Sequence, residues 1–245
     1  LDDEYRKAIK ADYASLRAWA KRMASGQAFP YNEASALEAT EEELRREYDA
    51  RWAHGGTMIM GAFGDLLTSR AANETAADYV RGKIHEIVRD PEVAALLSPN
   101  EIIGCKRLCV DTGYYDTYNR ENVTLVDVSE EPIERLTPGG LRAKGTACEF
   151  DSIVFATGFD AMTGALLAID IRGRDGMTLA EKWEDGPRPY LGLAMAGFPN
   201  LFTITGPGSP SVFTNMLPSI EQHVDWIADC LGYLRERDLK QIEAS

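Results

Sequence analysis

Histidine and cysteine are scarce, and neither is grouped. The three histidines (His54, His85, His223) lie far apart, and the four cysteines (Cys105, Cys109, Cys148, Cys230) form no Cys-x-x-Cys pair. A zinc site has no ligand spacing to start from, so no metal is expected, and free thiols in a cytoplasmic protein are the default reading. Long apolar runs are missing too: none approaches the roughly 18 residues a membrane helix needs, and mean hydropathy is −0.27. The first residues, LDDE, have neither the basic start nor the apolar stretch of a signal peptide. No membrane partner is expected. Positive charge is in deficit, with 26 basic against 39 acidic side chains and a net charge of −13. Nucleic acid would be repelled over most of the surface, and an anionic cofactor would need a local cationic pocket. Short catalytic fingerprints are lacking as well. There is no Gly-x-Gly-x-x-Gly, no Gly-Lys-Ser/Thr phosphate loop, no Gly-x-Ser-x-Gly elbow, no His-Glu-x-x-His and no EF-hand loop.

What remains is an ordinary folded composition, 44% hydrophobic and 27% charged over 245 residues, enough for one large domain or two small ones. Glycine and proline divide it. Residues 1–100 hold six Gly and three Pro, whereas 101–245 hold fifteen and eight. The first part should therefore be mostly helical, with no strand pairing. Tyr5, Ile9, Leu16 and Ala20 recur at helical spacing. Thr40 followed by Glu43 is a capping-box signature ahead of a Leu44, Tyr48, Trp52 stripe. Ala76, Val80, Ile84 and Ile87 make another stripe, and Asp90-Pro91 opens a short helix with a cap residue and a first-turn proline. These stripes read as core.

The second part reads as short strands at 123–128 (VTLVDV), 151–156 (DSIVFA) and 200–205 (NLFTIT), followed by a long helix with Ile220, Val224, Ile227, Leu231 and Leu234 on one face. Strands ending in glycine turns before helices indicate an α/β class, in which ligands sit at the carboxyl ends of strands.

Three segments are candidates for chemistry. Lys106 and Arg107 enter an apolar strand, so they should point to opposite faces; they offer an anion site, although a solvated basic edge has the same spacing. Thr157 and Gly158 end the second strand, and small residues there let a ligand approach the backbone; the end should face a cleft, although an ordinary strand exit looks alike. The loop 206–216 (GPGSPSVFTNM) is rigid and precedes a helix, where free N–H groups suit a phosphate or a flavin edge.

At these segments the chain resembles a known family. GCKRLCVDTGYYDTYNRENVTLVDV, DSIVFATGFDAMTGAL and GFPNLFTITGPGSPSVFTNM resemble Baeyer–Villiger monooxygenases of the cyclohexanone and phenylacetone monooxygenase type, and EEELRREYDARWAHGG and IEQHVDWIADCLGYLRE extend the likeness through essentially the whole chain. The resemblance implies a flavoprotein of two dinucleotide-binding domains with a helical insert, incomplete in this chain because the segments that carry the FAD and NADP fingerprints precede the matched region. It implies FAD and NADP as cofactors and O2 and a ketone as substrates. One oxygen atom is inserted beside the carbonyl through a flavin C4a-peroxide to give an ester or lactone. Residues 1–103 would be the helical insert, 104–156 the returning part of the NADP-binding domain and 157–245 the returning part of the FAD-binding domain. Activity would belong to the longer chain.

Residue by residue, Arg107 matches the family's essential arginine beside the flavin, where a guanidinium stays charged at any working pH. Lys106 matches a residue on the phosphate-bearing ribose of NADP. Thr157 and Gly158 match the junction of the two nucleotide domains, Asn215 and Met216 positions near the isoalloxazine, and Ser211, Val212 and Phe213 a loop lining the substrate pocket. An N-hydroxylating or flavin-containing monooxygenase shares an ATGF-type strand and is the runner-up, which the KR…DTGYY…YN pattern disfavours. A non-catalytic binding module is the alternative from another class. Which ketone, and what oligomeric state, the residues do not say.

Overall fold

The computed structural model describes residues 2–23, 25–129, 132–143, 145–209 and 214–245. Helices come first: α1 (Asp3–Ala11), α2 (Tyr13–Ala20), α3 (Glu41–His54), α4 (Arg70–Ile87), α5 (Pro91–Leu97) and the single turn α6 (Tyr114–Thr117). Three short strands follow, β1 (Arg135–Thr137), β2 (Gly140–Ala143) and β3 (Thr146–Glu149). The single turns α7 (Gly164–Leu167) and α8 (Leu179–Lys182) lead to the long α9 (Met216–Glu236). The chain divides into two compact units, Pro30–Thr157 and Leu1–Phe29 with Gly158–Ser245. This partition differs from the three segments that the resemblance implies, because the first helical stretch groups with the C-terminal residues rather than with α3 to α5.

In the unit Pro30–Thr157 the helices follow their local signals. The Thr40 hydroxyl accepts from the Glu43 N–H while the Glu43 carboxylate accepts from the Thr40 N–H, which closes the capping box. Glu41, Glu42 and Glu43 fill the first turn of α3 and Arg51 and His54 the last, each sign set against the opposite end of the helix dipole. Asp90 caps α5 by accepting from Glu92 and Val93, with Pro91 in the first turn. The core lies between α3 and α4. Buried Tyr48 meets Phe63 edge-on at 5.5 Å, and the two pack with Leu66, Ala72 and Ala76. The Tyr48 hydroxyl lies 2.6 Å from the Thr75 Oγ1, so its burial leaves no polar atom unpaired. Ile84, Val88 and Ala94 close a second cluster that ties α4 to α5.

The strands are where the sequence reading and the structure part. The only sheet among the described residues is the antiparallel β1-β2-β3 meander, with Leu136 opposite Leu141 and Leu141 opposite Cys148. Gly140 is required there, since a Cβ would stand 1.9 Å from the Cys148 carbonyl oxygen. Residues 123–128 and 152–160 are irregular and belong to no strand, and 200–205 holds a single isolated bridge, Phe202 with Ala194. A strand is defined by its partner, and within the described residues these segments have no ladder to join. Before residue 100 no strand occurs among the described residues, as the glycine and proline distribution implies.

In the other unit, α1 and α2 break at Asp12 (φ −129°), so the expected single helix is two. Asp is a weak interior helix former, and its side chain competes for backbone hydrogen bonds. Trp183, Leu179, Met195 and Phe198 form the core, with α8 started by a second capping box, Thr178 and Glu181. In α9 the buried positions are His223 and Leu234, whereas Val224 and Leu231 face outwards at 46% and 47% exposure. Of the expected stripe, Leu234 is thus buried and Ile220 and Ile227 half-buried, while beside the outward Val224 it is His223 that turns inwards, accepting the Thr205 N–H at its Nδ1 at 3.0 Å. Among the described residues, no helix is long and apolar enough to cross a membrane.

Candidate active site

A cleft of about 450 Å3 opens on the unit Pro30–Thr157. Its apolar floor includes Ile59, Val80, Ile87 and Ile103, and its rim carries Arg51, Glu101, Lys106 and Arg107. In a chain of net charge −13, the cleft gathers three cations, Arg51, Lys106 and Arg107, against the two carboxylates of Glu101 and Asp111, a small local cationic excess of the kind an anionic cofactor would need.

Each wall traces back to a helix. The last turn of α3 delivers Arg51 and Trp52 before Gly55 ends it at φ +81°. Arg51 is already engaged, donating to the Glu47 carboxylate at 2.8 Å and to the Pro30 carbonyl at 2.7 Å. Trp52, the last residue of the α3 stripe, is not core: it is 37% exposed at the cleft wall, edge-on to Tyr79. The exit from α4 and α5 delivers the cationic segment. Asn73, 2% exposed on α4, accepts from the Ile103 N–H and donates to the Ile103 and Leu66 carbonyls, all at 2.9 Å. Gly104 then turns at φ +89°, where a Cβ would stand 2.8 Å from the Met60 methyl. Residues 105–107 leave the core from that point.

Lys106 and Arg107 both line this cleft and are exposed; no strand runs through them, which corrects the expectation that they point to opposite faces. The alternation rule holds only for pleated backbone, and here the backbone is irregular. Lys106 is ion-paired with Glu101, five residues earlier. Tyr115 lines the same cleft; burial, then the nearby Asp111 carboxylate, push its phenol pKa up, so it stays neutral. Tyr118, donating to the Tyr114 hydroxyl at 2.8 Å, is pushed up to about 12 by that bond and by burial. Neither tyrosine is a base at neutral pH.

The remaining candidates lie elsewhere. Thr157 and Gly158 stand at the boundary between the two units, both exposed and outside any strand, with Gly158 at φ +85° and open space around it; the strand end expected there is absent. Met216 is the first residue of α9 and Asn215 its cap. The Asn215 amide is committed within its own unit, donating to the Gly26 carbonyl at 3.0 Å and accepting from the Leu217 N–H at 3.2 Å. The loop before it spends N–H groups internally: Gly206 donates to the Gly192 carbonyl and Ser209 to the Gly206 carbonyl. Ser211, Val212 and Phe213 lie outside the described residues. Sequence reasoning missed Asn73, Glu101 and Arg51. Of these Asn73 left a signal, because it is a lone amide on the buried side of α4, beside Ala72, Ala76 and Ala77.

No family model matches the sequence. Over its whole length, however, the chain is similar in backbone and in sequence to one stretch of flavin monooxygenases. It is 42% identical to a Baeyer–Villiger monooxygenase of Pseudooceanicola batsensis, over 99% of this chain and 44% of that protein. It is 38% identical to the phenazine N-monooxygenase of Lysobacter antibioticus, over 99% of this chain and 44% of that protein. The solved structure of OTEMO in complex with FAD and NADP superposes with a TM-score of 0.95 at 34% identity, covering all of this chain and 46% of that one. The chain thus spans somewhat less than half the length of the proteins it matches.

Proposed function

We propose that this chain is part of an FAD- and NADPH-dependent Baeyer–Villiger monooxygenase, which converts a ketone, O2, NADPH and a proton into an ester or lactone, NADP+ and water. The observation that carries the reading is the cleft rim, where adjacent Lys106 and Arg107 stand together in an otherwise acidic chain that is 42% identical, end to end, to such an enzyme. FAD, when bound, supplies the reduced ring that activates dioxygen. Within this chain, Lys106 holds the phosphate on the NADP ribose as a compact cation, exchanging Glu101 for phosphate. Arg107 supplies a permanent positive charge for developing anionic oxygen, the arrangement in which a preorganised charge lowers a barrier most. The donor set fits a nucleotide phosphate, because both cations are exposed on a cleft whose floor is apolar and whose one tyrosine, Tyr115, is neutral.

Asn215 and Met216, at the start of α9, are assigned to the FAD side; the Asn215 N–H and side-chain amide are both engaged within the chain, by the Ser25 and Gly26 carbonyls, and so hold the start of the helix in place. Thr157 and Gly158 form the crossing between the two nucleotide-binding parts, and residues 211–213 border the ketone. In this reading 1–103 is the helical insert, 104–156 belongs to the NADP-binding part and 157–245 to the FAD-binding part. The four unpaired thiols support a cytoplasmic location.

A second reading has its own support. The 38% identity to a phenazine N-monooxygenase makes oxygenation of a ring nitrogen the alternative outcome. Both are tested on the polypeptide as cells make it. Its intact mass and flavin absorbance are measured first, then NADPH consumption with a panel of cyclic, linear and aromatic ketones and with phenazine, the products identified by mass spectrometry. A yellow protein that forms esters or lactones is expected. N-oxide formation without ester selects the second reading, and a colourless protein that ignores NADPH overturns both.

A further inference from the structure

We infer that Asn73, on a helix and away from the cleft rim, is the positioning residue of the cationic pair. Its buried amide sets the direction in which Lys106 and Arg107 leave the core. The proposal rests on the reading of those two side chains given above.

The geometry is unusual for a core residue. Asn73 is 2% exposed in the middle of an apolar helix face, where leucine or alanine would pack without any hydrogen bond to satisfy. It uses both amide hydrogens and its oxygen, each at 2.9 Å, and all three partners are backbone groups of loops rather than of its own helix. Two of the three bonds go to one residue: Ile103 gives its N–H to Oδ1 and receives Nδ2 at its carbonyl. That two-point grip fixes the peptide planes on both sides of Ile103, as a neighbouring strand would in a sheet. Gly104 comes next, at φ +89° with Met60 and Leu67 closed against its Cα, so the chain has one exit. Lys106 and Arg107 are three and four residues beyond the grip, in irregular backbone without a sheet to hold them. A buried polar network that is fully satisfied specifies one arrangement, and a half-satisfied one does not. The third bond, to the Leu66 carbonyl, ties the same amide to the loop before α4, so one side chain holds two loops in register.

A purely structural amide would matter for stability alone. A positioning amide also governs the order of the segment it grips and the affinity of the cations beyond it. The test uses Asn73→Ala and, in case that variant folds poorly, Gly104→Ala, which disturbs the same exit and leaves the buried amide in place. Hydrogen exchange followed by mass spectrometry is expected to speed up roughly tenfold or more in peptides covering 101–108, while α4 and α9 keep their protection. The Kd for 2′,5′-ADP, a probe that carries the 2′-phosphate and one 5′-phosphate without the nicotinamide half, is expected to rise about tenfold in both variants, against Lys106→Ala as the reference for losing that contact.

Unchanged exchange at 101–108 overturns the proposal, and so does faster exchange spread evenly over the chain. Faster local exchange with unchanged 2′,5′-ADP affinity overturns it as well, because the grip would then not serve the cations. If the wild type and Lys106→Ala bind 2′,5′-ADP equally, the nucleotide reading of Lys106 is what fails. Exchange at 101–108 then decides the grip by itself.

Discussion

Lys106 and Arg107 are adjacent in sequence and on the cleft, yet replacing them should give different defects. In the active polypeptide, Arg107→Ala removes a fixed charge at the reacting centre. Loss of one preorganised charge partner typically costs on the order of 3 kcal/mol, roughly a hundredfold in rate. Ester formation should all but stop while NADPH is still consumed and hydrogen peroxide accumulates; ester production near the wild-type rate would remove Arg107 from the chemistry. Lys106→Ala touches a remote phosphate instead, so KM for NADPH should rise with kcat little changed. Glu101 supplies a third case. Its pair with Lys106 is exposed at both ends, 54% and 76%, and such pairs are worth only about 0–1 kcal/mol. Glu101→Gln should therefore lower KM for NADPH by about two- to fivefold, and an unchanged or raised KM would mean that the carboxylate does not compete with phosphate. Lys106 and Arg107 stood out in the sequence as a candidate anion site because basic residues are few. Glu101 was not, because nothing in a chain of thirty-nine acids distinguishes one.

At the scale of elements, the helix starts were written locally. Thr40 and Glu43 satisfy each other's backbone N–H groups across a single turn, and no distant residue is needed. Thr40→Ala should destabilise the unit by about 1 kcal/mol, read from the midpoint of chemical denaturation. The Glu43 carboxyl is held below its ordinary 4.5, first by the bond from the Thr40 backbone and then by the Thr40 hydroxyl. Because the folded value is depressed, the contribution of the box is complete above pH 4.5 and is lost as pH falls through the lowered value. A wild-type advantage over Thr40→Ala that failed to shrink in acid would contradict this. The helix break at Asp12 and the burial of His223 rather than Val224 on α9 were less legible. Both depend on which face finds a neighbour, and periodicity alone only states that a face exists.

At the scale of the whole molecule, the outstanding feature is apolar side chains left in the open. Val154 is 87%, Phe155 66% and Phe159 99% exposed, on backbone that belongs to no strand. Exposed apolar segments of this kind, with free strand edges, mark surfaces that bind other chains or aggregate. The 245-residue chain by itself should therefore bind a hydrophobic dye brightly and self-associate, as followed by fluorescence and light scattering. Val154→Lys with Phe155→Glu should lower both signals without reducing helical circular dichroism. Equal dye binding by that variant would place the exposed surface elsewhere, for example on the outward row of Leu217, Val224 and Leu231 along α9.

Caps, first-turn prolines and helical stripes depend on residues three or four positions apart, so the sequence by itself settled where α3, α4, α5 and α9 lie and roughly how they begin. It also settled the resemblance, since collinear stretches of residue identity need no coordinates. The tertiary structure alone decided which extended segments became strands. The apolar runs at 123–128 and 151–156 have stronger strand composition than RLT, GLRA and TACE, yet only the latter three find hydrogen-bonded neighbours among the described residues, by folding back on one another through tight turns. It alone also decided that Lys106 and Arg107 share a cleft. Their direction comes from an amide on α4 some thirty residues earlier and from a glycine closed in by Met60 and Leu67. Pairing and direction are relations between distant residues, and no local rule of spacing contains them.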